Sequence, residues 1–328
     1  MNKHKNRLPV VRLASLILLL LVIPVGHANE GEARALLEQM RLSLHQKNFE
    51  GTFVYMNGKD METMRVIHEG SEFRGRSYVS ALSGEAREVF RDSTFLTCIT
   101  PENRTVFREP IRADEEFILP VPVEHSALTA YYHYSLGDNR RIAGMDCQQV
   151  RIKPLDDYRF GYEYCIEPDS GIPLRIATLD HNGSVMEQVM FTNIAFPELI
   201  DQQVFSVQDK IQGFTVSEAS KPKLHNDNNP FKFNTLPNGF KVNSIYYQPA
   251  SHGDSEFYQV ILSDGLAKAS LFIASEDRST DSYQGIIRSG AVHAMVRSSG
   301  GSVMTAVGEV PTKTLKAILS AVVLPSND

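Results

Sequence analysis

Arg159-Phe160-Gly161-Tyr162-Glu163-Tyr164-Cys165, then Asp169-Ser170-Gly171-Ile172-Pro173-Leu174-Arg175, then Leu179-Asp180-His181-Asn182-Gly183-Ser184-Val185-Met186-Glu187-Gln188-Val189-Met190-Phe191 read as three successive strands with the turns between them. Phe160, Tyr162, Tyr164 and Ile166 alternate onto one face, which is the period-2 signature of a strand with one covered side. Asp169-Ser170-Gly171 supplies one turn, and Asn182-Gly183 is the strongest short hairpin signal that L-residues offer. An antiparallel meander follows, and the fold class is mainly β.

The same alternation extends outward. Phe49 to Met56 and Met61 to His68 flank an Asn57-Gly58 turn, and strand-like runs cover Phe73 to Val79, Glu85 to Arg91, Thr94 to Ile99 and Arg104 to Phe107. Ahead of them Ala33, Leu36, Leu37, Met40 and Leu44 recur at helical spacing, which predicts an amphipathic helix over Glu32 to Gln46. Ser126 to Tyr134 reads as a short helix against the sheet.

Residues 217 to 235 are polar, rich in Asn, Lys and Pro, and lack an apolar period, so they read as a linker. Beyond it, strands are expected at Val242 to Tyr247, Tyr258 to Leu262, Ser270 to Ala274, Ala291 to Arg297 and Ser302 to Val307. Pro311 then opens a helix whose buried stripe is Leu315, Ile318, Leu319 and Val322. The expected architecture is α+β, with a large curved antiparallel sheet over residues 29–216, the linker 217–235, and a small antiparallel sheet-and-helix domain over 236–328.

Residues 1–28 carry Lys3, Lys5, Arg7 and Arg12, an apolar run from Leu16 to Ile23, and Gly26-His27-Ala28 at the positions a signal peptidase reads. The run is much shorter than the roughly 20 residues of a spanning helix. Export with cleavage after Ala28 is therefore expected, and it takes the formal charge from −6 to −10 because the leader holds four basic residues and no acidic one. The acidity lies in the larger part of the chain, and it disfavours nucleic acid as a partner, since phosphate contacts need clustered Lys and Arg.

An exported chain meets an oxidising compartment, and its three cysteines are Cys98, Cys147 and Cys165. Closing the chain around the loop Pro154 to Tyr158 sets Val150 opposite Tyr162 and Ile152 opposite Phe160, and the same register faces Cys147 with Cys165. A bridge between them is geometrically allowed, and two reduced neighbours are the alternative. Cys98 is then the odd thiol.

No catalytic signature emerges. The chain has no H-E-x-x-H, G-x-S-x-G, phosphate-binding loop or paired C-x-x-C. Ser220-Lys221-Pro222-Lys223 fits S-x-x-K, but Pro222 prevents the helix that would set Lys beside Ser. Asp114-Glu115-Glu116 and Asp156-Asp157 read as turn carboxylates. The histidines are scattered without metal-ligand spacing, so neither a metal nor another cofactor is expected. What stands out is an excess of apolar side chains on the sheet. Ordinary core explains most of them, and a hydrophobic cleft for acyl chains is the functional reading.

Several stretches together resemble the MucB/RseB family of periplasmic regulators of the sigma-E type envelope stress response. They are Asn48 to Tyr55, Gly84 to Val89, Ile142-Ala143-Gly144, Tyr158 to Tyr162, Leu174-Arg175, Leu179-Asp180, Leu236 to Phe240 and Gly308-Glu309-Val310-Pro311. The resemblance implies a half-barrel domain similar to lipoprotein carriers, followed by a small domain, with no enzymatic activity. It implies binding to the periplasmic part of a membrane-bound anti-sigma factor, protection of that factor from proteolysis, and release by lipid, lipopolysaccharide or the acyl chains of mislocalised lipoproteins. The apolar excess of the sheet makes Phe53, Tyr55, Met64, Phe90, Tyr131 and Phe191 candidate lipid contacts, and the charge balance of the small domain, which with the linker is expected to dock the partner, makes Tyr246, Arg288 and Arg297 candidate partner contacts. A lipid or lipoprotein carrier without a regulatory partner is the other reading. The chain departs from the family pattern at Cys165, where Trp is usual, and it holds no Trp at all.

Overall fold

A computed structural model describes residues 25–72, 75–112, 128–225, 230–250, 256–275 and 285–324. Most of the expected leader, and the Asp114-Glu115-Glu116 cluster, lie outside the described residues. No described helix is long and apolar enough to cross a membrane.

Helix α1 (Val25–Gln46) starts earlier than its apolar period suggested, but it buries the expected stripe: Ala33, Leu37 and Met40 are fully covered and Leu44 nearly so. It lies against a twelve-stranded sheet built from β1 (Phe49–Asn57), β2 (Asp60–Glu69), β3 (Arg76–Ala81), β4 (Glu88–Arg91), β5 (Phe95–Thr100), β6 (Thr105–Pro110), β7 (Tyr132–Ile142), β8 (Met145–Pro154), β9 (Gly161–Ile166), β10 (Pro173–Leu179), β11 (Val185–Ala195) and β12 (Thr215–Glu218). Their order is β12-β6-β5-β4-β3-β2-β1-β11-β10-β9-β8-β7. Every pairing is antiparallel except β12 with β6. The sheet curls so that β7 comes into contact with β11, and α1 packs on β7 and β8 inside the curl.

The meander read from the sequence is present. Asn182-Gly183 closes the β10–β11 hairpin, with Asp180 Oδ1 accepting from the backbone N–H of Asn182 and Ser184 at 2.9 and 2.8 Å. Gly183 has φ +81°, the left-handed region where a Cβ is penalised. Tyr162, Tyr164 and Ile166 are buried on the α1 side, as their alternation required.

Two readings are corrected. Tyr132 and Tyr134 are buried while His133 is exposed, which is period 2, so the second half of the predicted Ser126–Tyr134 helix is the start of β7. The β8–β9 register is also different: Ile152 faces Tyr162 and Val150 faces Tyr164, so Cys165 stands opposite Gln149. The reason is that Arg159 and Phe160 leave the strand for the domain junction described below, which lengthens the connection by two residues. Cys147 and Cys165 then lie diagonally, with Cα atoms 5.3 Å apart, and their sulfurs are joined. Cys98 is free and half-buried.

A second sheet of seven strands has the order β13-β15-β16-β17-β20-β19-β18. It consists of β13 (Lys223–Leu224), β15 (Lys241–Gln248), β16 (Phe257–Ser263), β17 (Lys268–Ser275), β18 (Gly285–Ser289), β19 (Val292–Ser299) and β20 (Ser302–Gly308), and β14 (Lys232–Phe233) pairs separately with β21 (Val322–Val323). Between the sheets, the short helix α2 (Val207–Lys210) belongs to a segment that covers the outer face of the large sheet. Helix α3 (Thr312–Ala321) buries Leu315, Ile318 and Leu319 on the small sheet, while Val322 falls just past its end, in β21.

The polar connection is more structured than its composition suggested. Thr215–Glu218 is an edge strand of the large sheet, so the expected boundary at 216 falls inside a strand. Lys223–Leu224 is an edge strand of the small sheet, and Phe231 is buried in its core. Backbone pairing requires no apolar side chain, which is why hydropathy missed it.

The Cys147–Cys165 bridge closes a separation of 18 residues, for which chain-entropy reasoning gives about 3 kcal/mol. Peptide mapping without reductant should recover this linked pair, and Cys147→Ser with Cys165→Ser should lower unfolding stability by about that amount. Recovery of free thiols, or of either cysteine linked to Cys98, would contradict the pairing.

Candidate functional site

The two sheets meet around one buried cation. Arg159 is fully inaccessible, and so is the Asp264 side chain; Nε of Arg159 lies 3.4 Å from Asp264 Oδ2 and 3.3 Å from Asp156 Oδ1. Asp264 belongs to the Ser263-Asp264-Gly265 turn of the small sheet. Its Oδ1 accepts from the N–H of Leu266 and Ala267 at 2.9 and 2.8 Å, and its Oδ2 accepts from Tyr132 Oη at 2.9 Å. The guanidinium also lies over the rings of Tyr131, Tyr132 and Phe240 at 4.8 to 5.4 Å, an arrangement that suits a weakly hydrated planar cation. Gly239, with φ +84°, passes so close to Tyr131 that a Cβ would sit 2.6 Å from its ring. Burial first, and then the Asp264 charge, push the Tyr132 hydroxyl well above its ordinary value, so it stays a donor.

Further contacts widen the junction. Thr314 Oγ1 donates to the Tyr158 carbonyl at 2.5 Å, and Lys313 pairs with Asp157 at 2.9 Å. Phe160 meets His293 edge-on at 5.5 Å. Leu266 enters the large core, so the small domain helps to cover the inner face of the large sheet.

On one side this junction leaves a groove of about 710 Å3. Phe107 and Glu109 of β6, with Arg112 just beyond its end, form the wall, and Glu218 to Ser220 with Pro222 form the rim. Tyr246, Gln248, Phe257, Gln259 and Phe272 of the small sheet form the floor. Arg112 Nη1 donates to Gln259 Oε1 at 2.7 Å and its guanidinium lies 5.3 Å from the Tyr246 ring centre. Phe257 and Phe272 pack edge-on at 5.8 Å. The rim strand β12 is an outer strand of its sheet with every residue exposed. An edge beside an aromatic floor is chemistry suited to an extended peptide, with backbone hydrogen bonds along the strand and apolar side chains in the floor.

The candidate lipid residues do not form one set. Phe53, Tyr55, Met64 and Phe191 share the inner face: Phe53 faces Met64 on β2 and Phe191 on β11, and the Phe53 and Phe191 rings meet at 5.8 Å. Tyr55 Oη donates to Glu187 Oε1 at 2.6 Å, and burial and that bond raise its pKa. Phe90 points to the outer face, where it packs with Ile99, Val106, Tyr78, Val207 and Phe214. Tyr131 belongs to the junction under Arg159.

The candidate partner residues are also dispersed. Tyr246 lines the groove, Arg297 Nη1 donates to the Leu319 carbonyl at the end of α3 at 3.2 Å, and Arg288 is exposed on the outer strand β18. Sequence reading missed Arg159, Asp264, Arg112 and the Phe257–Phe272 pair. The available signal was Arg159, a cation abutting an apolar alternation. Among the described residues, no three His, Cys, Asp or Glu gather in a metal-binding cluster.

Comparison with known proteins gives matches to both parts. The MucB/RseB N-terminal domain matches residues 32–209 and the MucB/RseB C-terminal domain residues 225–323. The Sigma-E factor regulatory protein RseB of Escherichia coli is 27% identical over 297 residues, covering 87% of this chain and 88% of the relative. RseB of Haemophilus influenzae is 23% identical, covering 95% and 98%. The Sigma factor AlgU regulatory protein MucB of Pseudomonas aeruginosa is 25% identical, covering 94% and 96%. Among solved structures, a chain of the Pseudomonas aeruginosa MucA/MucB complex superposes with a TM-score of 0.68 at 21% identity, over 90% of this chain and all of that one. That likeness establishes the fold, and the two domain matches, in order along the sequence, establish that the chain belongs to the MucB/RseB family.

Proposed function

We propose that this protein is a periplasmic, non-enzymatic regulator. In this reading it binds the periplasmic segment of a membrane-bound anti-sigma factor, shields it from regulated proteolysis, and releases it when acyl chains enter the large domain. The observation that carries the reading is the match of both family domains in order, together with relatives named as sigma factor regulatory proteins. A relative of the same fold, MucB, has been solved with MucA(peri). The partner's docking surface is the groove between β12 and the small sheet, because it offers an exposed strand edge and an aromatic floor together. The acyl-chain surface is the inner-face patch of Phe53, Tyr55, Met64 and Phe191. A carrier without a partner has little use for a small domain that helps cover its inner face, so the regulator reading is preferred.

For the lipid to act as a signal it must bind the partner-free state more tightly, since a ligand of equal affinity shifts nothing. Each methylene moved from water into an apolar lining contributes about 0.8 kcal/mol, so insertion of part of one acyl chain supplies the few kcal/mol required.

Two outcomes are expected. Phe257→Ala with Phe272→Ala should weaken binding to an anti-sigma periplasmic segment at least about tenfold by calorimetry, the range of a paired aromatic hot spot. Unchanged affinity would place the docking surface elsewhere. Lipopolysaccharide titrated into the preformed complex should release the partner, and Phe53→Asp should blunt that release while leaving lipid-free binding intact. Equal lipid affinity for free and partner-bound protein would refute the sensing role.

A further inference from the structure

Five of the ten methionines fall on three adjacent strands, β1, β2 and β11. Core packing accounts for such residues where they are covered, but Met56, Met61, Met186 and Met190 belong to none of the hydrophobic clusters of the described residues, and Met61 is 69% exposed. The register gives the reason. Phe53 with Phe191, and Tyr55 with Glu187, mark the inner face at this end of the sheet. Alternation therefore turns Met56, Met61, Met186 and Met190 to the outer face, while the fifth, Met64, faces Phe53 inside.

On that outer face Met56 is central. Met61 stands directly opposite it on β2; on its other side it faces Gln188, which Met186 and Met190 flank along β11. Facing residues of an antiparallel pair have Cβ atoms about 4.5–5.5 Å apart, and diagonal ones about 7–8 Å, within reach of long side chains. The β1–β2 turn is tied to the start of β11, because the Gly58 N–H donates to the Met186 carbonyl at 3.0 Å. Three strand ends thus share one arrangement, and the unbranched thioether side chains converge by choice of rotamer.

We propose that Met56, Met61, Met186 and Met190 form a site for a soft monovalent metal ion, Cu(I), bound through thioether sulfur. Uncharged sulfur donors select Cu(I), whereas calcium and magnesium ions need oxygen ligands and zinc takes thiolate, imidazole or carboxylate. The ionic groups nearby are directed elsewhere. Tyr55, Glu62 and Glu187 lie on the inner face, and Arg175, opposite Met190, is turned to Gln188 and Glu163. Thioether ligands leave no trace in the spacing of His, Cys and carboxylates, which is why that spacing predicts no metal. The site stands or falls independently of the partner and lipid assignments.

The test is a Cu(I) titration of the full mature chain in a Cys98→Ser background, which removes the free thiol. Ascorbate keeps the metal reduced and bicinchoninate serves as the competitor. One Cu(I) per chain is expected, with only sulfur in its first shell by X-ray absorption. Met56→Leu keeps the apolar area and removes the central donor, so it should weaken binding at least about tenfold, a loss that even outer-shell changes cause at metal sites. Met295→Leu, on β19, should leave the affinity unchanged. Absence of binding, a first shell of nitrogen or oxygen, or full affinity in Met56→Leu overturns the proposal. If Met56→Leu fails to fold by circular dichroism, undiminished affinity in Met61→Leu, at the exposed position, overturns it instead.

Discussion

A guanidinium with no access to water must be neutralised where it lies, and Arg159 draws its neutralisation from two directions. Asp156 belongs to its own loop, and Asp264 belongs to the other sheet. The Asp264 carboxylate is itself held by two backbone N–H groups and the Tyr132 hydroxyl, so it cannot turn to follow the cation. Pairs of this kind gain little over a well-packed apolar alternative, but removing one partner strands the other at a cost of about 3–5 kcal/mol. The interaction therefore sets a geometry more than it adds stability. It fixes where the small sheet sits on the large one.

The rest of the molecule depends on that placement. With Asp264 under Arg159, Leu266 enters the large core and α3 meets the loop at Asp157 and Tyr158. The same placement leaves the groove between β6, β12 and the floor of β15 to β17. A rotation of the small domain would remove the floor from beside the rim strand and uncover the inner face. Partner docking and acyl-chain entry, as proposed, both depend on that one placement, and a shift of the small domain between two positions is the shared two-state element that linkage between two ligands requires.

The strands were legible because their alternation and turn residues agree. Tyr162, Tyr164 and Ile166 fell on the covered face, the Asn182-Gly183 hairpin formed, and the α1 and α3 stripes packed as their spacing required. What sequence could not show was where strands stop. Arg159 and Phe160 continue the apolar alternation but serve the junction, and this moved the β8–β9 register by two residues while leaving Cys147 and Cys165 close enough to join. The edge strands at Thr215–Glu218 and Lys223–Leu224 were invisible because backbone pairing carries no hydropathy signal. Phe90 shows the corresponding limit for sites: alternation states that a residue faces one side, and only the register with β3 and β5 shows that its side is the outer one.

The measurement that bears most directly on this account is a double-mutant cycle on Arg159 and Asp264, with Arg159→Met and Asp264→Asn followed by denaturant unfolding. A coupling energy of about 2 kcal/mol or more is expected, with the wild-type chain unfolding in one transition and each single variant splitting it into two. Additive single effects, with the two domains already melting separately in the wild type, would contradict the claim that this pair makes the two sheets one body.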